Sequence, residues 1–188
     1  HVVVLPDADQ TPEQLVGLAP GVAAESQLAR RLAENGVRVV VPVLLSRACD
    51  FSGNPQIAMT NQPHREWIYR QAFEVGRHVI GYEVQKVLAL VDWFCRSGVE
   101  AKVGVAGYGE GGLLALYSAA ADPRIDACLV SGYFGPRQQL WEEPIYRNVW
   151  NLLREFGDAE IASLVAPRGL AIEFSPVPEV EGPPKPAE

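Results

Sequence analysis

Lys102-Val103-Gly104-Val105-Ala106, Gly107-Tyr108-Gly109-Glu110-Gly111-Gly112 and Leu113-Leu114-Ala115-Leu116-Tyr117-Ser118-Ala119-Ala120 follow one another without a break. An apolar strand-like run enters a glycine turn, and a helix-like run leaves it. This is the frame of G-x-S-x-G, in which a nucleophile is held on a sharp strand-to-helix turn between small flanking residues. Gly107 and Gly111 supply the small flanks, but Gly109 stands where Ser, Cys or Asp would attack. Glycine carries no atom able to do so. The degenerate turn Gly107, Tyr108, Gly109, Glu110, Gly111 is therefore the first candidate site, with its central chemistry missing.

The same residues also spell G-x-G-x-x-G, a phosphate-cradling turn. That reading needs an acidic residue at the end of the following strand, roughly 20 positions on. The next strand-like run, Ile125 to Val130, ends in Ser131-Gly132-Tyr133, and Asp126 lies at its opening end. The nucleophile frame is the better match, and no cofactor is expected.

Outward from the turn, strand-like and helix-like stretches alternate, which predicts a parallel sheet with helices on both faces. Val2–Leu5 opens it. A helix over Ala23–Glu34 ends at Asn35-Gly36, and Val37–Leu45 is an aliphatic run suited to a strand buried on both faces. A long loop follows from Ser46 to about Pro63. Ile80, Val84, Val87, Leu88, Val91 and Phe94 then recur on one face at helical period. Gly135 to Ala162 mixes Trp, Tyr, Glu and Arg. It reads as helices over the sheet edge, with a carbohydrate-stacking lid of Trp141, Tyr146 and Trp150 as the other reading. Gly169–Phe174 is the last strand. The fold class is thus α/β, a three-layer sandwich around a mostly parallel sheet.

Composition narrows the partners. A chain of 188 residues suffices for one domain, read here as 1–175, followed by a proline-rich loop or linker at 176–188. The formal charge of −7 argues against nucleic acid, which wants a basic surface. No apolar run is long enough for a membrane span. Three cysteines without C-x-x-C spacing give neither a disulfide framework nor a metal site. Cys95 and Cys128 read as buried small hydrophobes. The chain opens on a strand at His1 without Met. It reads as a segment of a longer protein, incomplete at both ends and accompanied by other domains, and its compartment is open.

The chain also resembles the α/β-hydrolase superfamily, within it the dienelactone hydrolase and acetyl-xylan-esterase-like groups. The turn frame carries the resemblance, with Gly76-Arg77-His78-Val79-Ile80-Gly81, Asp122-Pro123-Arg124-Ile125-Asp126-Ala127 and Ala166-Pro167-Arg168 before the last strand. It implies a Ser, Asp and His in that chain order, and an oxyanion amide on the residue after the nucleophile. Carried over, Glu110 gives that amide and Gly109 takes the nucleophile's place. The acid is expected after the last strand, where Glu179 and Glu181 stand, and no histidine follows His78.

Three residues stand as substitutes for the missing groups. Ser118 lies nine residues along the helix, roughly 14 Å from the turn at 1.5 Å per residue, and is too distant. Ser131 lies at the carboxyl end of the neighbouring strand, where ligands bind in such sheets, although a serine bonded to backbone is the simpler reading. His64 is the histidine placed to act as a base, and a surface or Trp67-packed role competes with that. Asp7 and Asp9 follow the first strand, where the resemblance implies a second oxyanion donor. Two carboxylates there oppose developing negative charge, unless they turn away or hold a cation. The leading expectation is a catalytically degenerate hydrolase-like domain that binds a small-molecule ester or carbohydrate, or scaffolds a larger chain. An active esterase using a non-standard nucleophile is the alternative.

Overall fold

The computed structural model describes residues 1–48, 63–96 and 101–180. Five strands, β1 (Val2–Leu5), β2 (Val39–Val40), β3 (Gly104–Tyr108), β4 (Ala127–Ser131) and β5 (Gly169–Glu173), form one sheet in the order β2-β1-β3-β4-β5. Every pairing is parallel. Seven helices accompany them among the described residues: α1 (Pro12–Leu15), α2 (Leu28–Glu34), α3 (His64–Glu74), α4 (Val79–Arg96), α5 (Glu110–Ala121), α6 (Leu152–Glu155) and α7 (Asp158–Ser163).

Side chains alternate across a strand, so adjacent residues serve opposite layers. Val3, Leu5, Val105, Cys128 and Val130 face the larger core, packed with Val87, Val91 and Phe94 of α4 and Leu113 and Leu116 of α5. Val4 joins Leu15 of α1 and Ala29 of α2 in a smaller core on the other side. The three-layer α/β expectation holds. The helical stripe of α4 also holds, with Ile80, Val87, Val91 and Phe94 buried and Val84 and Leu88 packed at its margin.

Several local expectations are corrected. The run Val37–Leu45 yields a two-residue strand, half-buried and, among the described residues, paired only with β1 at the edge of the sheet. Pro42 offers no N–H to extend that ladder. The helix expected over Ala23–Glu34 divides into a 3₁₀ turn, Ala24–Ser26, and α2, because Gln27 between them is non-helical. Cys95 is exposed at the solvent side of α4, whereas Cys128 is buried, its thiol pushed up to about 12 by burial. The stretch from Gly135 to Ala162, expected to be helical, forms two 3₁₀ turns and two short helices. Its Tyr146 is buried, but Trp141 and Trp150 are 71% and 81% exposed, so helix packing does not account for them. Most of the long loop between Ser46 and Pro63 lies outside the described residues, as do Cys49 and Glu181.

Chain order places the site. The chain runs from β1 outward to β2 and then crosses to β3 on the other side of β1. The carboxyl ends of β1 and β3 therefore flank the point where the winding reverses, the crevice where open α/β sheets hold ligands.

Candidate functional site

The register sets Leu5 beside Gly107, so the segments leaving β1 and β3 emerge together. One continues as Pro6-Asp7 and the other as Tyr108-Gly109-Glu110. Gly109 has φ +58° and ψ −118°, a backbone that side-chain-bearing residues rarely adopt, and it is the N-cap of α5. The tightness comes from the flanking glycines. A Cβ on Gly107 would overlap the backbone of Gly111, and one on Gly111 would overlap the carbonyls of Leu5 and Pro6. The turn thus presses α5 against the end of β1.

That pressure brings Asp7 to the turn. Its Oδ1 accepts the backbone N–H of Glu110 at 2.8 Å. A Cβ on Gly109 would overlap the same Asp7 carboxylate and stand 2.7 Å from Cγ of Pro178. Pro178 belongs to the segment leaving β5. That segment is anchored close by, where the Tyr108 hydroxyl donates to the Pro176 carbonyl at 3.0 Å. The position expected for a nucleophile is therefore enclosed by a carboxylate on one side and a proline ring on the other.

The Glu110 side chain goes inward and is fully buried. Three guanidinium groups surround it: Arg47 at 3.1 Å, Arg65 at 3.2 Å and Arg147 at 3.0 Å. Arg47 also binds Asp7 at 2.5 Å and Asp9 at 2.8 Å, and donates to the Tyr146 hydroxyl at 2.8 Å. Arg65 pairs with buried Glu83 at 2.5 Å, and Glu83 in turn accepts the Leu45 N–H. Burial alone would push the Glu110 carboxyl upward, yet Arg65, Arg147 and Arg47 together hold it below the ordinary value. Asp7 behaves alike: burial raises it, while Arg47 and the amides of Glu110 and Ala8 bring it lower. Of the two carboxylates after β1, both hold a cation, the chain's own Arg47.

Chemically, the turn offers one amide donor suited to an anion, and an internal carboxylate has taken it. Gly109 has no reactive atom, and Tyr108 is an unpromising acid because burial and Asp7 raise its pKa.

A second group of polar side chains lies at the carboxyl ends of β4 and β5, where Ser131 is in register with Glu173. Ser131 Oγ donates to Glu173 Oε2 at 2.6 Å and lies 2.8 Å from Ser175 Oγ. Ser131 is therefore bonded to side chains, not to backbone as the simpler reading held. All three residues line a cavity of about 690 Å³ that extends beneath α1 and the segment leading to α2. None of His1, His64 and His78 lines it. His64 opens α3, half-buried, with its backbone N–H on the Ala48 carbonyl and neighbouring Trp67 47% exposed. Glu179 is exposed, and Ser118 is enclosed within α5. His78 accepts the Ile80 N–H at Nδ1 and meets the Asn148 carbonyl through Nε2. Burial lowers its pKa, so it caps α4 as a neutral ring.

The residues that sequence reasoning missed are Arg47, Arg65, Arg147, Glu173 and Ser175. Glu173 had a readable signal: a carboxylate closing an aliphatic strand beside one that closes on Ser131. The arginines had none, since they come from three separate segments. Among the described residues, no three His, Cys, Asp or Glu side chains are grouped to hold a metal ion. No described helix is long and apolar enough to cross a membrane.

Comparison with known proteins follows the same lines. The dienelactone hydrolase family model matches residues 12–149. No curated protein sequence matches the chain. Among solved structures, a candidate acetyl xylan esterase from Bacteroides fragilis is similar at TM-score 0.70 and 17% identity, covering 91% of this chain and 50% of its own. A glucuronoyl esterase from Solibacter usitatus is similar at TM-score 0.50 and 16% identity, covering 91% and 54%. The chain spans about half the length of these structures, and at such identities the likeness concerns the fold.

Proposed function

Since the chain belongs to the dienelactone hydrolase family yet has glycine where the family frame expects a nucleophile, we propose that it is a hydrolase-fold domain without hydrolytic activity, serving to bind a ligand or to scaffold a longer protein. The Asp7–Glu110 contact carries this reading. An oxyanion site works by offering preorganised donors to developing negative charge. Here the donor already serves a carboxylate, held by Arg47 at 2.5 Å and 8% exposed on the arginine side. A substrate oxyanion would have to displace that carboxylate and would meet its charge.

The esterase names of the two structural relatives favour a small-molecule ester or a carbohydrate as the ligand held. Exposed Trp141 and Trp150 are compatible with stacking on a sugar ring.

The test is hydrolysis of p-nitrophenyl acetate and a simple lactone by the full-length protein, beside Gly109→Ser and Gly109→Ser combined with Asp7→Gly. The full-length protein is expected to match the uncatalysed rate. Turnover above that rate sinks the proposal. One observation favours the alternative of an active esterase, namely that Ser131 is hydrogen-bonded to a carboxylate beside the cavity. If turnover is found and Ser131→Ala abolishes it, the activity belongs to that pair.

A further inference from the structure

The Ser131, Glu173 and Ser175 group has a property that follows from counting protons. Three side chains bring two hydroxyl protons. Ser131 gives its proton to Glu173 Oε2. The 2.8 Å contact between the two serines then requires Ser175 to donate to Ser131. Both protons are spent inside the group, in a chain that runs from Ser175 through Ser131 to Glu173. What remains for a ligand is acceptor capacity alone, on the second Glu173 oxygen and on Ser175 Oγ.

The surroundings agree in sign and in size. Of the charged side chains lining the cavity, Glu25 and Glu173 are acidic and Arg31 is basic. Arg31 is already engaged with the Glu25 carbonyl at 2.9 Å. The remaining wall carries Gln10, Ser26 and Tyr108 together with aliphatic side chains, Val4 and Leu129 from the sheet and Leu15, Val22 and Leu28 from the helical side. A volume of about 690 Å³ lies within the range of roughly 300–1,000 Å³ usual for small-molecule sites. An acceptor-only patch beside these aliphatic side chains selects a ligand with donors at one end and an apolar body.

We infer that this cavity is a binding site for a small amphiphile whose head donates hydrogen bonds, an ammonium or a hydroxyl group, and that it rejects carboxylate heads. Glu173 and Ser175 receive the head, and Val4, Leu15 and Leu129 hold the body. The inference rests on the non-hydrolytic reading only in that the ligand is retained intact. The site takes the alcohol or amine portion of a molecule and excludes the acid that ester cleavage would release.

Three probes share one body and differ in the head: 3-phenylpropylammonium, 3-phenyl-1-propanol and 3-phenylpropionate. Each is titrated into the full-length protein and its Glu173→Gln variant, with binding followed by NMR shifts of cavity residues. The ammonium is expected to bind tightest, the alcohol next, and the carboxylate weaker than the ammonium by about tenfold or more. Glu173→Gln, a change at an exposed side chain, is expected to keep the melting temperature and erase the ammonium preference. Equal or tighter binding of the carboxylate overturns the inference. So does an ammonium preference that survives Glu173→Gln, or no shift from any probe. Leu129→Ser separates body from head, since it is expected to weaken all three probes alike. 3-Phenylpropyl acetate keeps the two readings distinguishable: its hydrolysis would refute the silent turn while leaving the head-group order untouched.

Discussion

The Asp7 carboxylate and the Glu110 backbone N–H, 103 residues apart in sequence, meet at 2.8 Å. Their contact joins the segment after β1 to the first residue of α5. It also fixes the Glu110 side chain among three arginines. The turn and the buried charge cluster are therefore one structural unit, and disturbing either is felt in the other.

Gly109→Ser is expected to fold with lower stability. Placing a side chain at φ +58° costs about 1–3 kcal/mol, and overlap with Asp7 and Pro178 adds to it. Asp7→Gly removes one overlap, so the double variant should exceed the additive expectation by about 0.5–3 kcal/mol. Urea denaturation of the four proteins in the cycle measures this. An unchanged or higher melting temperature for Gly109→Ser alone would mean that the turn is not strained as described.

Glu110→Gln should be among the most damaging single changes in the protein. Breaking a buried ion pair by removing one partner costs about 3–5 kcal/mol, and here Arg47, Arg65 and Arg147 all lose their common partner. Chemical denaturation checks the magnitude. A loss below about 1 kcal/mol, the scale of an exposed pair, would contradict the burial described.

Acid should unfold the protein through the same cluster. Asp7 and Glu110 are both lowered in the folded state from reference values of 3.8 and 4.5. A lowered folded pKa means that the unfolded chain binds more protons, so stability rises with pH across that window. The contribution is complete above about pH 4.5 and is lost as pH falls through the lowered folded values. Melting temperature against pH should fall steeply there, and Asp7→Asn should make the fall shallower. An identical acid limb in the variant would remove Asp7 from the account.

His78 adds a separate, milder step. Its folded pKa lies below 6.5, so its contribution is present above that value and declines as pH falls towards the folded pKa. NMR titration of the ring should give a midpoint below 6.5, with no midpoint above it. A raised midpoint would imply a charged ring, and the Ile80 N–H would then have lost its acceptor.

Trp141 and Trp150 give a prediction of the opposite kind. Both are largely exposed, so Trp141→Ser and Trp150→Ser should change stability by less than about 0.5 kcal/mol. Acrylamide should quench both readily in the parent. A marked stability loss would return these residues to the packing role first expected of them.

The strongly patterned parts of this fold were legible in the chain. The periodicity of α4 and the strand, glycine turn and helix around Gly109 arise from neighbours in sequence. The β2 strand was misjudged because an aliphatic run reports burial, whereas extent depends on pairing, and Pro42 at a sheet edge limits pairing. At the site, Gly109 and the unusual Asp7 were visible as departures from a family frame. The role of Asp7 follows from Arg47, which lies between Asp7, Asp9 and Glu110. No spacing rule links residues 7, 47, 65, 110 and 147. The packing of α3, α5, the segments after β1 and β2 and the 3₁₀ turn Ile145–Arg147 brings them together.

The short β2 has a consequence for how this sheet meets other chains. Edge strands offer free N–H and C=O groups to any extended segment, and very short edges blunt that offer. Among the described residues, β2 offers two paired residues at its side of the sheet, with Pro42 two positions further on. Strand addition on the β2 side, whether by a partner peptide or in misassembly, is therefore limited to a two-residue ladder.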